Sequence, residues 1–271
     1  MAKFFVSRKM NMVSKQFGFL LLTALGALST FCLVSCNSLT MRDTADYRNY
    51  QPEHSTRKGE DIEWGICYAY NKLDESGAQR VLVIGDSICN AYHRPLRTIL
   101  GRKMNVTFWA SSLCVTDPLY FKALDLVLDG PEPQVVLFNN ALHSCDSPDA
   151  EWRAAFIQAL RFIRARLPQA KIAVVNSTPV RDNDPAVVAR SRMIDEVAAE
   201  MGVSLVDIYA CCDGWPRETA WSDEFHFKPE YVQKQAEFLA PLILRMAGAS
   251  EGEGVSVVQK ANAMGPDGRL E

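Results

Sequence analysis

An apolar stretch from Phe17 to Val34 contains no charged residue and follows four cations, Lys3, Arg8, Lys9 and Lys15. Charge followed by hydrocarbon is the order of an export signal, so residues 1–36 are read as an address rather than as part of a folded body. A run of this length is also near the minimum that spans a bilayer, which leaves an uncleaved membrane anchor as the alternative. Residues 37–61 are polar and without period, as in a flexible tether. Beyond Ile62 the pattern changes. Arg80 to Gly85 is a short apolar run entering a glycine, which suits a strand buried on both faces. Val106 to Ala110, Val135 to Asn139, Ile172 to Asn176 and Val203 to Val206 repeat it. Between these runs, Trp152 to Leu167, Val187 to Met201 and Tyr231 to Met246 have helical spacing.

Strand alternating with helix predicts an α/β fold in which a five-stranded parallel sheet is covered on both faces by one domain, residues 62–247. Right-handed crossovers then bring the C-terminal ends of all the strands to one edge, where open sheets of this kind bind ligands. Residues 248–271 turn to Gly, Ser, Glu and Asn and are expected to be a disordered tail.

Composition narrows the classes. Of 271 residues 48% are hydrophobic and 23% charged, ordinary for a globular body, and the net charge of -3 lacks the basic surplus that phosphate backbones require. Nucleic acid is therefore not an expected partner. Of eight cysteines, Cys32 and Cys36 fall in the signal, which leaves Cys67, Cys89, Cys114, Cys145, Cys211 and Cys212. In an oxidising compartment these can pair, and Cys114 with Cys145 is the favoured bridge because each follows a strand at the same sheet edge. No CxxC pair or His-rich cluster accompanies them, so no metal and no cofactor is expected.

Gly85-Asp86-Ser87 directly follows the first apolar run, a placement that presents a serine hydroxyl at the ligand-binding edge. Serine is a weak nucleophile unless a base, usually a histidine oriented by a carboxylate, lies within hydrogen-bond reach. Ser222-Asp223-Glu224-Phe225-His226 supplies both in the loop before the last helix. A spacing of three lets Asp223 reach imidazole Nδ1 in a tight turn and leaves Nε2 for the serine.

These residues resemble the SGNH/GDSL hydrolase family, whose first block is Gly-Asp-Ser after a strand and whose last is Asp-x-x-His before the final helix. The resemblance spans about residues 80–246. It implies a flavodoxin-like three-layer α/β/α sandwich and ester hydrolysis through an acyl-serine intermediate, with Ser87, Asp223 and His226 as the catalytic residues. It also implies an oxyanion hole built from the Ser87 amide, a glycine amide after the next strand and an asparagine side chain. Here the sequence departs from the family. Ser111 and Ser112 replace the glycine, and either could offer a backbone N–H. Asn139-Asn140-Ala141-Leu142-His143 replaces the Gly-x-Asn-Asp block, so that either Asn140 or His143 is the side-chain donor, with Asn140 slightly ahead. A second resemblance, of Leu33-Val34-Ser35-Cys36 to the lipobox of bacterial lipoproteins, implies lipidation at Cys36. The chain is then an exported, membrane-anchored monomer, and Asn37 favours the outer membrane.

His54 and His93 show no partner pattern and are read as surface residues. Trp215, Trp221, Phe225 and Phe227 surround the Asp-x-x-His loop and either stack on a sugar or pack the loop. Asp117, Asp146 and Asp149 are explained by helix N-caps as well as by a metal. The reading is a serine ester hydrolase that removes a short acyl group, acetyl above others, from a carbohydrate or cell-envelope substrate. An acyltransferase with the same triad and a non-catalytic, glycan-binding lipoprotein are the alternatives.

Overall fold

Valine, leucine and isoleucine fill residues 81–84 with less than 3% exposure, because this segment lies at the centre of the sheet and is covered on both sides. The computed structural model describes residues 45–54, 59–144 and 147–248. The segment read as an export signal, Cys36, part of the expected tether, Cys145, Asp146 and the expected tail from residue 249 lie outside the described residues.

Among the described residues, six strands form one sheet: β1 (Gly65–Ala69), β2 (Gln79–Gly85), β3 (Met104–Ser111), β4 (Val135–Phe138), β5 (Lys171–Val175) and β6 (Ser204–Val206). Their order is β1-β3-β2-β4-β5-β6. β2 to β6 run parallel, as the sequence pattern predicts, and β1 pairs antiparallel to β3 with Cys67 opposite Trp109. The expected five-stranded parallel sheet is thus five strands of a six-stranded mixed one. β1 is short and half exposed along one edge, and lies outside the five runs read as strands.

Among the described residues, seven α-helices connect and cover the strands: α1 (Ser87–Leu100), α2 (Pro118–Leu128), α3 (Asp149–Arg166), α4 (Pro185–Met201), α5 (Ile208–Asp213), α6 (Arg217–Ala220) and α7 (Pro229–Ala247). Alternation along β2 sends Val81 and Val83 into a buried cluster with Ile88, Tyr92 and Leu96 of α1 and Leu239 and Ile243 of α7. On the opposite face Phe138 of β4 stacks on Phe156 of α3 at 4.8 Å. Setting β1 aside, the strand order is that of a flavodoxin-like sheet, which reverses direction between β2 and β4, and a ligand crevice is expected at that point.

Contacts reach back into the segment read as a tether. Tyr47–Asn49 forms a 3-10 turn capped by Asp46 and packed on α2, and the Tyr50 ring lies 5.1 Å from that of Phe162. Among the described residues no helix is long and apolar enough to cross a membrane.

One expectation is corrected. His93 is 1% exposed, not a surface residue. Its ring stacks on Phe108 at 3.8 Å, and its nitrogens meet the Asn90 carbonyl and the Tyr70 hydroxyl at 2.7 and 3.3 Å. Stacking and two polar partners on the inner face of α1 replace water, and none of them has a sequence signature. Cys114 is a free thiol that accepts a bond from Thr116 Oγ1 at 3.1 Å, and Cys145, its expected bridge partner, lies outside the described residues. His54 is exposed.

Candidate active site

The turn from β2 into α1 has room for only one kind of residue at position 85. A Cβ on Gly85 would lie 2.5 Å from Cys89 Cβ, one turn into the helix. Asp86 caps the helix, its Oδ1 accepting the Ile88 N–H at 3.0 Å. Ser87 is the first helical residue and half-buried. Its backbone amide belongs to the turn of N–H groups that a helix leaves without internal partners, where negative charge is favoured.

Asp223 and His226 are brought together by a small hairpin. Trp221 and Phe227 form an isolated antiparallel bridge, and Ser222 N–H donates to the His226 carbonyl at 2.8 Å. Inside this loop Asp223 Oδ1 accepts the backbone N–H groups of Phe225 and His226 at 2.9 and 2.8 Å. The carboxylate also meets His226 Nδ1 at 3.0 and 2.9 Å through its two oxygens. Partial burial raises the Asp223 pKa, but the His226 amide, the imidazole and the Phe225 amide outweigh it and hold the carboxyl below its usual range. A carboxylate at Nδ1 fixes the imidazole tautomer with Nε2 available as a base.

The loop is tied down on two sides. Trp221 and Phe227 enter the same buried cluster as Ile88, Cys89 and Tyr92 of α1. Arg181 N–H donates to the Glu224 carbonyl at 2.9 Å, and Arg217 donates to the Val180 carbonyl at 2.7 Å, joining the loop to the segment after β5. Among the described residues no hydrogen bond joins Ser87 to His226. Catalytic contacts of this kind often tighten only with substrate bound. Packing uses most of the aromatics around this loop: Trp221 and Phe227 are buried, with ring centres 4.5 Å apart, and Trp215 lies edge-on to Phe227. Phe225, 39% exposed, remains at the surface.

The residues assigned to the oxyanion side are distributed over the loops after β3 and β4. Ser111 Oγ donates to the Trp64 carbonyl and accepts the Leu113 N–H, at 3.1 and 3.0 Å. The Ser112 N–H is used by the Trp64 carbonyl at 3.1 Å. Asn139 donates its amide to the carbonyls of Val175 and Asn176 at 2.8 and 3.1 Å. Asn140 is buried, its Oδ1 accepting the Val115 N–H and its Nδ2 donating to the Leu113 carbonyl, both at 2.9 Å. His143 stands in a 3-10 turn with Nδ1 against Glu60 and its ring edge-on to Trp64, centres 6.0 Å apart. Asp117 precedes α2 and accepts the Cys114 N–H, and Asp149, at the start of α3, meets Arg190.

Sequence reasoning did not find Glu60, Trp64, Trp152 or Arg190. Each lies outside the motif blocks, and only the apolar stretch from Trp64 to Tyr70 hints that a strand brings the 60–64 segment to this edge. A narrow crevice opens beside the Ser87 turn, lined by Asp86, Cys89, Asn139, Leu142, Thr178 and Ile208.

No protein-family model and no curated protein matches the chain in sequence. Its fold matches solved structures. One, described as a GDSL-like lipase from Parabacteroides merdae, has a TM-score of 0.52 at 14% identity over 64% of this chain and 96% of that one. A member of the lipolytic protein G-D-S-L family from Veillonella parvula has a TM-score of 0.50 at 14% identity over 62% and 100%. A family two carbohydrate esterase from Clostridium thermocellum, in complex with cellohexaose, has a TM-score of 0.51 at 17% identity over 64% of this chain and 65% of that one.

Proposed function

We propose that the chain is a serine ester hydrolase that removes a short acyl group, acetyl first among them, from a carbohydrate or cell-envelope substrate. In this reading His226 Nε2 takes the proton of Ser87 Oγ as the oxygen attacks the acyl carbonyl. Asp223 keeps Nδ1–H in place and stabilises the imidazolium that forms. The tetrahedral oxyanion is met by the Ser87 N–H, with Ser111 and His143 at the neighbouring loops. His226 returns its proton to the leaving alcohol. Water then repeats the cycle on the acyl-serine and frees the acid.

The observation that supports this most is the contact of both Asp223 oxygens with His226 Nδ1 in a loop packed on the helix that begins at Ser87. Phe225 offers a ring face beside the base on which a sugar could stack. The carbohydrate esterase among the fold neighbours, bound to cellohexaose, agrees in substrate class.

Purified protein is expected to release p-nitrophenol from p-nitrophenyl acetate, to favour acetyl over longer acyl esters and to deacetylate acetylated saccharides. Ser87→Ala should remove all of this activity together with labelling by a fluorophosphonate. Wild-type protein that neither turns over esters nor takes up the fluorophosphonate would leave the reading without support.

A further inference from the structure

Asn140 bridges two loops rather than pointing an unengaged amide at the site. Its Oδ1 holds the Val115 N–H and its Nδ2 holds the Leu113 carbonyl, so the turn after β3 is clasped at both ends by a residue that follows β4. The Asn140 carbonyl is held in turn by Trp152 of α3, whose Nε1–H donates to it at 3.2 Å. Trp152 is fully buried, and Arg190 of α4, 1% exposed, lies 4.3 Å over its indole ring. The Arg190 guanidinium donates to the Ser147 carbonyl at 3.1 Å and to Asp149 at 3.3 Å.

A buried guanidinium is costly to desolvate, and a buried indole N–H requires an acceptor. Packing alone does not require either group. Trp152 already stacks on Phe156 at 4.7 Å, a contact that a phenylalanine at this position could also make. The hydrogen-bonding groups instead form a chain from α4 through α3 to the loop after β4 and then to the loop after β3. Ser111 and His143, the neighbouring oxyanion candidates, flank the two loops that this chain joins. Oxyanion stabilisation depends on donors fixed in advance, and small misplacements are expensive.

We infer that Asn140 and Trp152, backed by Arg190, are positioning residues that lock the loops after β3 and β4 into oxyanion-binding geometry, Asn140 acting through Leu113 and Val115 rather than by touching the substrate. This rests on the esterase reading.

The test is steady-state turnover of p-nitrophenyl acetate by the full chain and three variants. Trp152→Phe keeps a stacking ring and removes the N–H. Its kcat is expected to fall on the order of 10- to 100-fold with KM within about twofold. Asn140→Ala should fall by a similar factor, and the double variant no further than the worse single, because both remove one brace. Arg190→Lys keeps the charge and loses the planar stack, so it should lower kcat in the same direction and serves if Trp152→Phe does not fold. Unchanged kcat in Trp152→Phe or, failing its folding, in Arg190→Lys would overturn the inference. So would a loss of about 100- to 1,000-fold confined to Asn140→Ala, which marks a direct donor. Failure of the esterase reading is distinguishable, because it appears in the unmutated protein.

Discussion

His226 Nδ1 lies 2.9 Å from Asp223 Oδ2, while Asp223 Oδ1 accepts the backbone N–H of His226 at 2.8 Å, so one carboxylate holds both the ring and the chain of the same residue. Asp223→Asn keeps the size and loses the charge, and its amide can present N–H where the ring needs an acceptor. We expect kcat to fall by about 10,000-fold, as tautomer control predicts. Asp223→Ala should also loosen the 221–227 loop, seen as faster amide exchange at His226. A fall in kcat below tenfold would argue against the assigned role.

The Asp223 carboxyl is held below 3.8, so its contribution to loop stability is present above the unfolded value and is lost as pH falls through the lower, folded value. Activity lost well above pH 3.8 is therefore not due to protonation of Asp223.

His93 should show itself in stability. Burial lowers its pKa from 6.5, against the Asn90 carbonyl, which raises it, with Arg94 and Arg97 adding to the fall. The folded state then binds fewer protons than the unfolded one. Stability from this group is full above 6.5 and is lost as pH falls through the folded value. His93→Phe keeps the stack on Phe108 and cannot titrate. Thermal unfolding at about pH 7.5 and about pH 5 should show a smaller drop in Tm for the variant than for the wild type. Equal drops would mean that His93 does not titrate in this range.

Gly85→Ala places a methyl 2.5 Å from Cys89 Cβ. Overpacking at the β2–α1 turn is expected to cost about 1–3 kcal/mol in unfolding free energy and to displace Ser87, lowering kcat more than KM. Adding Cys89→Gly removes the opposing carbon and should restore kcat while leaving some stability lost, since glycine weakens a helix by about 1 kcal/mol. No recovery in the double variant would place the defect elsewhere.

Among the described cysteines only Cys67 is exposed. Iodoacetamide on the native protein should modify it first and slowly, because burial raises its thiol pKa, with the rate climbing at alkaline pH. Peptide mapping that finds Cys114 modified first, or bridged, would contradict the packing after β3.

Export and anchoring are a proposal from the sequence, with Cys36 as the lipid-bearing residue. An alkyne-tagged fatty acid should be incorporated in cells of the host and lost in Cys36→Ala. Label retained in that variant would move the anchor elsewhere.

Much of the fold was legible because β2 to β5 are buried on both faces, so continuous apolar runs mark them without help from tertiary contacts. β1 was not, although Trp64 to Tyr70 is free of polar residues, because it precedes the strand–helix alternation and joins the sheet antiparallel at an edge. The Asp223–His226 contact could be read from spacing, because a three-residue separation closes within one turn. The surroundings of Asn140 were hidden for the opposite reason. Trp152 and Arg190 are 12 and 50 positions away from it, and only crossovers over the sheet bring indole and guanidinium beneath that loop. Likewise Glu60 reaches His143 from 83 positions away, along a segment whose sequence shows no period.

The bridge between Trp221 and Phe227 closes the intervening residues into one hairpin, held to its surroundings at the two aromatics and at Glu224. Proton acceptor and orienting anion travel on one rigid piece, so any rocking of that piece over the helix that starts at Ser87 changes the gap to the hydroxyl without altering the tautomer. Reactivity can then be governed by a single coordinate, the tilt of a small hairpin.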